Sequence, residues 1–462
     1  MYKAALLLAA ALLALTVIAS AAVAATPGFS VKDYGAKADG LTDDRAAIAK
    51  AATAAVAAGQ KVYFPAGTYR LAGPMNAIAG ASYYGPGAVL QLQGPIAGAS
   101  NATFDGLQFQ SYGANLAMNI GSKTAAVTNM TVKNCTFAAG SGQFTWSRII
   151  VFRGSRNTIT GNTFTGTKGS GGNIQVLGGA DNQITNNTIT GGTTSILFMW
   201  SRSSNGGGAD SLIQHNVVTG NTYSAFSEEG ISFDIKANSA NDCGALEYDT
   251  VKAVSGQTIT LSSVAFPAYT GFDIVFVDGK LAGKTRTITA QANPNFTVTG
   301  SLAGAAAGDH VVIGAVYKHN TVSGNTGTAS GTYPAILLYG LCFGNTVQGN
   351  TLVTGKISVR SLDNTPVATG NATRTAGRAP CGFNTIQNNT MQDAATGKVT
   401  LEYVAFSGST YTPYVSQGNN VVGNTVAQIS GANQVAYLTG NTGTTNFSNV
   451  TLAGAVFSFD GQ

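Results

Sequence analysis

The stretch Ile184-Thr-Asn-Asn-Thr-Ile189 decides the fold, because its spacing recurs along the chain. In each copy an apolar residue is followed three positions later by Asn, once by Cys, and two positions after that by another apolar residue. The eight copies are Val132-Cys135-Phe137, Ile159-Asn162-Phe164, Ile184-Asn187-Ile189, Ile213-Asn216-Val218, Tyr317-Asn320-Val322, Val347-Asn350-Leu352, Ile386-Asn389-Met391 and Val421-Asn424-Val426. Units of roughly 25 to 40 residues cannot bury their own apolar faces, so they must stack as the coils of a solenoid.

Composition agrees with a solenoid of short strands. The chain has 462 residues, with 59 Gly and only 10% charged residues. Abundant Gly, Thr, Asn, Val and Ile favours strands and tight turns over helices. The net charge of +5 is too small and too dispersed to indicate a nucleic-acid partner, but it is compatible with an anionic substrate.

The chain divides into four predicted parts. Residues 1–25 have the pattern of a secretory signal, with Lys3 before an apolar run and small residues at the end; an uncleaved anchor is the alternative. Residues 26–243 and 315–462 form the two parts of the solenoid. Residues 244–314 interrupt the repeat with alternating strands and Gly-containing turns, which predicts a small inserted antiparallel β-domain. We expect a secreted protein, periplasmic or extracellular, with no membrane segment after cleavage.

The N-terminal region carries a family resemblance. The block Phe29-Ser-Val-Lys-Asp-Tyr-Gly-Ala-Lys-Ala-Asp-Gly-Leu-Thr-Asp-Asp44 precedes an Ala-rich helical stretch and then Lys61-Val-Tyr-Phe-Pro-Ala-Gly-Thr-Tyr-Arg-Leu71. It resembles the pectate-lyase-3 / rhamnogalacturonase-like superfamily of right-handed parallel β-helix proteins. The resemblance implies an all-β right-handed parallel β-helix with an N-terminal cap helix, and secreted enzymes that act on polysaccharides. Thr42 is the predicted N-cap of that helix, and we interpret the neighbouring acidic residues as structural.

Aligning the coils predicts which side chains are neighbours. The first strands align as 149–153, 174–178, 196–200, 231–235, 336–340, 357–361, 399–403 and 435–439. Their first and third residues are mostly apolar and should point inward, so the fourth residue faces solvent. The fourth residues are, in order, Phe152, Leu177, Met199, Asp234, Tyr339, Arg360, Glu402 and Leu438. Four consecutive coils therefore place an acid, a phenol, a guanidinium and an acid in one stripe, at about 4.8 Å per coil.

Further polar and aromatic residues flank this stripe. Lys236 follows Asp234 on the same side, and Lys356 precedes its strand. Trp200 and Arg202 follow the previous strand, while Tyr223, Glu228 and Glu229 lie in the turn ahead of Asp234. We predict catalytic roles for Asp234, Tyr339, Arg360, Lys236 and Glu229, and substrate-binding roles for Trp200, Arg202, Tyr223, Lys356 and Glu402. Exposed aromatic rings are suited to stacking on sugars.

Two other pairs also stack in the alignment. Cys342 and Cys381 each lie eight residues before a repeated Asn, in adjacent coils, which predicts a disulfide in an exported protein. His215 and His319 each immediately precede a repeated Asn, and we interpret them as a surface pair on another face.

The stripe favours a polysaccharide lyase that cleaves an acidic, uronate-containing chain by β-elimination. Arg360, Lys356 and Lys236 would neutralise the uronate carboxylate, and a nearby cation would lower the pKa of Tyr339 so that it acts as base or acid. Asp234, Glu228 and Glu229 are candidates to orient the cations or to bind Ca²⁺ through oxygen ligands.

Three alternatives stay open. A uronate epimerase would use similar groups. An endo-acting glycoside hydrolase would need Asp234 with Glu228 or Glu229, because Asp234 and Glu402 are three coils, roughly 14 Å, apart. The third alternative is a non-catalytic glycan-binding solenoid.

Overall fold

The computed structural model describes residues 28–165, 172–199, 212–234, 247–263, 268–329, 332–364, 377–405 and 416–460. Within them the chain winds as a parallel β-helix whose coils contribute one strand to each of three faces. The predicted class is confirmed: an all-β right-handed parallel β-helix with an N-terminal cap helix and a small inserted antiparallel β-domain.

The first face consists of the strands that begin each coil. They are Met75–Asn76, Ile96–Ala97, Met118–Ile120, Ile149–Val151, Gly172–Val176, Thr194–Phe198, Ile231–Asp234, Ile336–Tyr339, Ile357–Asn364, Lys398–Ala405 and Gln428–Thr439. A short hairpin strand, Gly377–Ala379, pairs antiparallel with the end of Ile357–Asn364, and Thr444–Leu452 pairs with the last strand.

The second and third faces complete each coil. The second face contains Phe29–Ser30, Val62–Tyr63, Ser82–Tyr84, Thr103–Asp105, Thr131–Lys133, Thr158–Thr160, Gln183–Thr185, Val217–Thr219, Thr321–Ser323, Thr346–Gln348, Thr385–Gln387 and Ser416–Val422. The third contains Asp39–Asp43, Gly67–Leu71, Ala88–Leu92, Gln108–Ser111, Thr136–Ala139, Thr163–Phe164, Thr188–Thr190, Thr222–Ser224, Thr326–Thr328, Thr351–Thr354 and Thr390–Met391. Inward-facing Ile, Val, Leu and Phe side chains fill the space between the faces.

The repeated Asn residues form two ladders rather than the one that the spacing predicted. One ladder lies between the first and second strands and contains Asn157, Asn182, Asn216, Asn320, Asn345, Asn384 and Asn419. The other lies between the second and third strands and contains Asn162, Asn187, Asn221, Asn325, Asn350, Asn389, Asn424 and Asn441. The predicted copies of the repeat at Asn216 and Asn320 therefore belong to the first ladder, and the second-ladder residues of those coils lie five positions later. The two ladders were confused because an apolar residue precedes the Asn at the same spacing in both.

A cap closes the N-terminal end of the coils. It contains the 3-10 helix Val31–Tyr34 and the α-helix Arg45–Ala57, which buries Ile48 and a row of Ala residues. The predicted N-cap at Thr42 is wrong: Asp44 occupies that position, and its carboxylate accepts hydrogen bonds from the backbone N–H groups of Lys37 and Ala38. In the part of the chain that the structure describes, no helix has the length and apolar character needed to cross a membrane.

The inserted domain is a closed six-stranded antiparallel barrel. Its strands are Glu247–Ser255, Thr258–Leu261, Asp273–Phe276, Thr285–Ala292, Asn295–Val298 and His310–Gly314. The chain then re-enters the β-helix through Tyr317–Lys318, which pairs with Cys342–Phe343. Lys318 forms an ion pair of 2.6 Å with the buried Asp273 of the barrel, which ties the two parts together.

The C-terminal segment also holds the barrel against the β-helix. Phe459 is 3% exposed and packs in an apolar cluster with barrel residues such as Val275 and coil residues such as Phe343. The Asp460 carboxylate accepts hydrogen bonds of 2.6 Å from the backbone N–H and the hydroxyl of Thr285, and lies 3.3 Å from His319 Nε2.

The predicted stacking of the two His residues is confirmed, but only one of them is a surface residue. The rings of His215 and His319 are 5.2 Å apart and nearly parallel. The side chain of His215 is 49% exposed, whereas that of His319 is 11% exposed beneath Phe459 and Asp460.

Candidate functional site

The predicted polar stripe exists as a structural arrangement on the outer side of the first face. Parallel pairing aligns Asp234 with Tyr339, Tyr339 with Arg360, and Arg360 with Glu402. All four side chains are partly exposed, while the first and third residues of the same strands are buried inside the coils. The prediction for the last coil is wrong, because Val399 pairs with Ile429 rather than with Val435, so Leu438 does not belong to this column.

One carboxylate and two cations form a network at one end of the stripe. The Nε of Arg360 donates to Oε2 of Glu402, and Nζ of Lys356 lies 3.4 Å from Oε1 of the same residue. Burial acts to raise the pKa of Glu402, but the charges of Arg360 and Lys356 outweigh it and hold the pKa below its ordinary value. The group of Arg360, Lys356 and Glu402 alone carries one unit of positive charge, and the carboxyl groups of Asp234 and Glu229 lie on the Tyr339 side of Arg360.

Tyr339 is a protonated phenol in this setting. Burial, followed by the negative charge of Asp234, raises its pKa to about 12, and Arg360 offsets only part of this shift. A nearby cation, Arg360, does lower the pKa of Tyr339 as expected, but burial and Asp234 outweigh it and the net shift is upward. A phenol that keeps its proton at neutral pH can donate it to a leaving oxygen, but it is not a ready base.

Glu229 supplies a carboxyl group with elevated proton affinity. Burial raises its pKa, the charge of Glu228 raises it further, and Arg360 opposes both effects. Glu229 also acts on the pKa of Tyr339, so its carboxylate, the phenol and the Arg360 guanidinium lie within electrostatic reach of one another. Glu228 is exposed in the same turn, and its backbone N–H donates to the carbonyl oxygen of Thr193.

The inserted barrel forms part of the surroundings of the stripe. The Tyr339 side chain packs against the apolar cluster that joins the barrel to the β-helix, which includes Val277, Leu341, Leu362 and Phe459. The sequence pattern did not reveal this contact, because the barrel strands and the C-terminal segment lie far from Tyr339 along the chain.

Several predicted site residues do not join the cluster. The predicted substrate-binding role of Tyr223 is wrong: its side chain is 1% exposed in the core, its hydroxyl donates to the carbonyl oxygen of Ala335, and burial raises its pKa. The sequence contained a signal for this burial: Tyr223 occupies the middle position of a strand of the third face, where alternate side chains point into the coil. Trp200, Arg202 and Lys236 lie outside the described residues.

The carboxylates do not form the predicted calcium site. Among residues 28–165, 172–199, 212–234 and the later described ranges, no three His, Cys, Asp or Glu side chains lie close enough together to hold a metal ion. Glu228 therefore does not belong to a cluster of three such side chains in the part of the chain that the structure describes.

Cys342 and Cys381 lie in adjacent coils as predicted, but their sulfur atoms are joined by a hydrogen bond in this structure rather than by the predicted disulfide. Both are fully buried, and the adjacent residues Phe343 and Gly382 are bridge partners. Burial and then the hydrogen bond with Cys381 raise the pKa of Cys342 well above its ordinary value. A thiol that keeps its proton is a poor nucleophile, so Cys342 does not add a reactive group to the site.

Comparison with known proteins agrees with the fold and with a sugar-related family. Residues 28–248 match the family model described as "Rhamnogalacturonase A/epimerase, pectate lyase-like". A segment of 46 residues, 10% of this chain, is 56% identical to mannuronan C5-epimerases AlgE5 and AlgE2 of Azotobacter vinelandii, and the match spans 5% of the length of these curated relatives.

One solved structure supports the fold with a TM-score of 0.50, and a second aligns with a lower score. The Agl-KA catalytic domain aligns over 93% of this chain and 68% of its own, with 13% identity and a TM-score of 0.50. A tailspike mutant of E. coli bacteriophage HK620, in complex with a pentasaccharide, aligns over 92% of this chain and 80% of its own, with 10% identity and a TM-score of 0.45. Residues 28–248, slightly less than half of the chain, are thus similar to the rhamnogalacturonase A/epimerase, pectate lyase-like family.

Proposed function

We propose that this protein is a polysaccharide lyase that cleaves an acidic, uronate-containing chain by β-elimination on the outer side of the first face. The observation that carries the proposal is the juxtaposition of two cations, Arg360 and Lys356, which share the carboxylate of Glu402, and the neutral phenol of Tyr339 one coil away. The match of residues 28–248 to a rhamnogalacturonase A/epimerase, pectate lyase-like family model supports the substrate class. We further propose that the protein acts outside the cytoplasm.

The reaction would divide among the residues of the stripe. Arg360, assisted by Lys356, neutralises the uronate carboxylate and stabilises the charge that develops when the proton on the adjacent carbon is removed. Glu229 in its ionised form accepts that proton, since a raised pKa makes a carboxylate a stronger base. The electron pair forms the new carbon–carbon double bond as the glycosidic carbon–oxygen bond breaks, and Tyr339 donates its proton to the departing oxygen.

Asp234 and Glu402 act through their neighbours. The charge of Asp234 helps to hold the Tyr339 proton, and Glu402 fixes the Arg360 guanidinium by an ion pair. Both are therefore positioning residues in this scheme. The lateral distance along the stripe is one strand spacing per residue, about 4.8 Å, which places the acid and the cation beside adjacent parts of one sugar.

The test combines two readouts on a panel of uronate polymers and their carboxyl-reduced counterparts. A lyase yields an unsaturated sugar with new ultraviolet absorbance, in proportion to new chain ends, and only from the unreduced polymers. Arg360→Gln should abolish the product, whereas the same substitution at Arg156, an exposed arginine elsewhere on the coils, should not. New reducing ends without ultraviolet absorbance, or equal cleavage of the carboxyl-reduced polymers, would contradict the proposal.

A glycoside hydrolase is the second candidate, because Glu229 and Asp234 are both within electrostatic reach of the Tyr339 phenol. The raised pKa of Glu229 is also what a general acid requires, with Asp234 as the ionised partner. An epimerase would share the proton abstraction but leave the chain length unchanged. The product assay separates the three reactions. A lyase yields chain ends with ultraviolet absorbance, a hydrolase yields chain ends without it, and an epimerase yields neither.

A further inference from the structure

Among the described residues, buried polar atoms without a hydrogen-bond partner gather on the first face, from the strand Met118–Ile120 up to Ile231–Asp234, the first strand of the charged stripe. They are Asn119 Oδ1, Arg148 Nε and Nη1, Asn173 Oδ1, Ser195 Oγ and Ser232 Oγ. Strand pairing places these residues on successive coils: Met118–Ile120 pairs with Ile149–Val151, which pairs with Gly172–Val176, and the series continues through Thr194–Phe198 to Ile231–Asp234. Buried polar groups are nearly always hydrogen-bonded, so their concentration on one face indicates a missing partner.

Arg148 is the strongest member of this group. Its side chain is 2% exposed, and burial lowers its pKa. Among the described residues no carboxylate forms an ion pair with it. A guanidinium removed from water is unfavourable unless an anion compensates it, and a planar carboxylate fits its paired N–H groups.

A flat aromatic surface lies next to Arg148. Trp146 is two residues earlier and 42% exposed, and its backbone N–H donates to the carbonyl oxygen of Asn115 at 3.0 Å, which fixes the segment against the preceding coil. Large apolar side chains of this kind are normally buried in a coil, whereas an exposed indole beside polar groups is suited to packing against a sugar ring. The indole, the guanidinium and the unpaired amide oxygens together match the chemistry of an acidic sugar.

We propose that Arg148 and Trp146 form a distal subsite that binds a carboxylate-bearing sugar of the same chain that is cleaved at the stripe. This inference rests on the proposed acidic substrate. The first strand after Arg148 lies three strand steps from Ile231–Asp234, roughly 14 Å, so an oligosaccharide running along the helix axis reaches both places. The oxygens of Asn119 and Asn173 accept hydrogen bonds from sugar hydroxyls between them. These atoms have almost no accessible surface, so an incoming sugar must displace the side chains packed over them.

The experiment measures binding of the full chain to hexamers of galacturonate, mannuronate and neutral cellohexaose by calorimetry. Arg148→Met should weaken binding of an acidic hexamer roughly 10- to 100-fold, as expected for loss of a hydrogen-bonded charge, and leave cellohexaose unchanged. Arg148→Lys should retain part of the affinity, and Trp146→Ala should weaken both classes of hexamer. Arg156→Met, which removes an exposed charge from the same coil, is the matched control.

Stability separates a binding role from a structural one. Removal of an unpaired buried charge should raise the melting temperature of Arg148→Met while its affinity falls. Three results would each overturn the subsite. The first is equal affinity of Arg148→Met and wild type for the acidic hexamers. The second is a parallel loss of acidic and neutral binding with a lower melting temperature, and the third is that wild type binds neither acidic hexamer. If Arg148-dependent binding persists but no unsaturated product forms, the lyase proposal fails and the subsite stands. If the unsaturated product forms and Arg148→Met binds the acidic hexamers as wild type does, the lyase proposal stands and the subsite fails.

Discussion

Glu229 is a half-buried carboxyl group whose neighbours act on its proton affinity in opposite directions. Burial and the charge of Glu228 raise its pKa, while Arg360 lowers it. The two candidate reactions need opposite protonation states of this group. A lyase needs the ionised base, so its activity rises as the pH increases through the pKa of Glu229, whereas a hydrolase with Glu229 as acid loses activity over the same interval.

Glu228→Gln should therefore shift that limb of the pH–activity profile to lower pH. The substitution removes one charge that raises the pKa of Glu229, without touching the proposed reacting groups. The measurement is kcat/KM against pH for the variant and the wild type. If activity rises with pH and this limb shifts to lower pH in the variant, Glu229 acts as the base. If activity falls over the same interval, Glu229 acts as the acid. If the limb stays at the same pH in the variant, another group titrates.

Tyr339→Phe tests the phenol directly. Loss of a general acid typically lowers the rate by about 10²- to 10⁴-fold, and the effect should lie in kcat because the ring and its apolar contacts remain. Since the pKa of Tyr339 is about 12, the wild type should show no loss from phenol ionisation until strongly alkaline pH. Tyr333→Phe, at a tyrosine that is 40% exposed, is the control. A Tyr339→Phe variant with unchanged kcat would exclude the proposed acid.

At the scale of the element, the Asn ladders convert a repeated turn into a continuous hydrogen-bonded column. In the second ladder, Asn187 Oδ1 accepts from both the backbone and the side-chain N–H of Asn162, and its Nδ2 donates to Ile159 O and Asn221 Oδ1. One buried side chain thus satisfies groups on three coils. The same amide contributes nothing to the outer face, which leaves that face free to carry polar side chains.

Asn187→Ala should destabilise the protein by about 2–5 kcal/mol, because several buried donors and acceptors lose their partners at once. Thr188→Ala, at the next residue and exposed on the third face, should change the free energy of unfolding by less than about 0.5 kcal/mol. The measurement is denaturant unfolding of both variants. Equal stabilities would mean that water or a shifted backbone replaces the ladder.

At the scale of the whole molecule, the C-terminal segment joins parts of the chain that are distant in sequence. Phe459 contacts His319, Phe343 and Phe383, and Asp460 bonds to Thr285 of the barrel. Tyr339 borders the same apolar cluster. The docking of the barrel and the environment of the proposed acid therefore depend on the same contacts.

Phe459→Ala should lower the free energy of unfolding by about 3–5 kcal/mol, as other truncations of buried aromatic side chains do. Hydrogen exchange should increase in the barrel strands Asp273–Phe276 and His310–Gly314, because their packing partner is removed. Val456→Ala, at a residue that is 62% exposed, is the control. Unchanged exchange in those strands would show that the segment does not hold the barrel.

The hydrogen bonds of Asp460 with His319 and Thr285 also predict that the stability of the fold depends on pH. Burial acts to raise the pKa of Asp460, but its hydrogen bonds with His319 and Thr285 outweigh this and the pKa is lowered. A carboxyl group whose pKa is depressed in the folded state contributes stability above its unfolded pKa and loses it as the pH falls through the folded value. Asp460→Asn should therefore flatten the acid side of the stability profile, measured by thermal unfolding at a series of pH values.

The sequence by itself determined the solenoid, its cap and insertion, and the column that aligns Asp234, Tyr339, Arg360 and Glu402. Periodic spacing suffices for these features, because stacked coils turn register into distance. It did not distinguish two ladders with the same local spacing, and it placed Tyr223 in the site although alternation buries it. Only the tertiary structure decided that Tyr339 keeps its proton, that Arg360 and Lys356 share Glu402, and that Arg148 is buried with no ion-pair partner among the described residues. Those properties depend on burial and on charges from distant segments, and spacing along one chain carries no information about either.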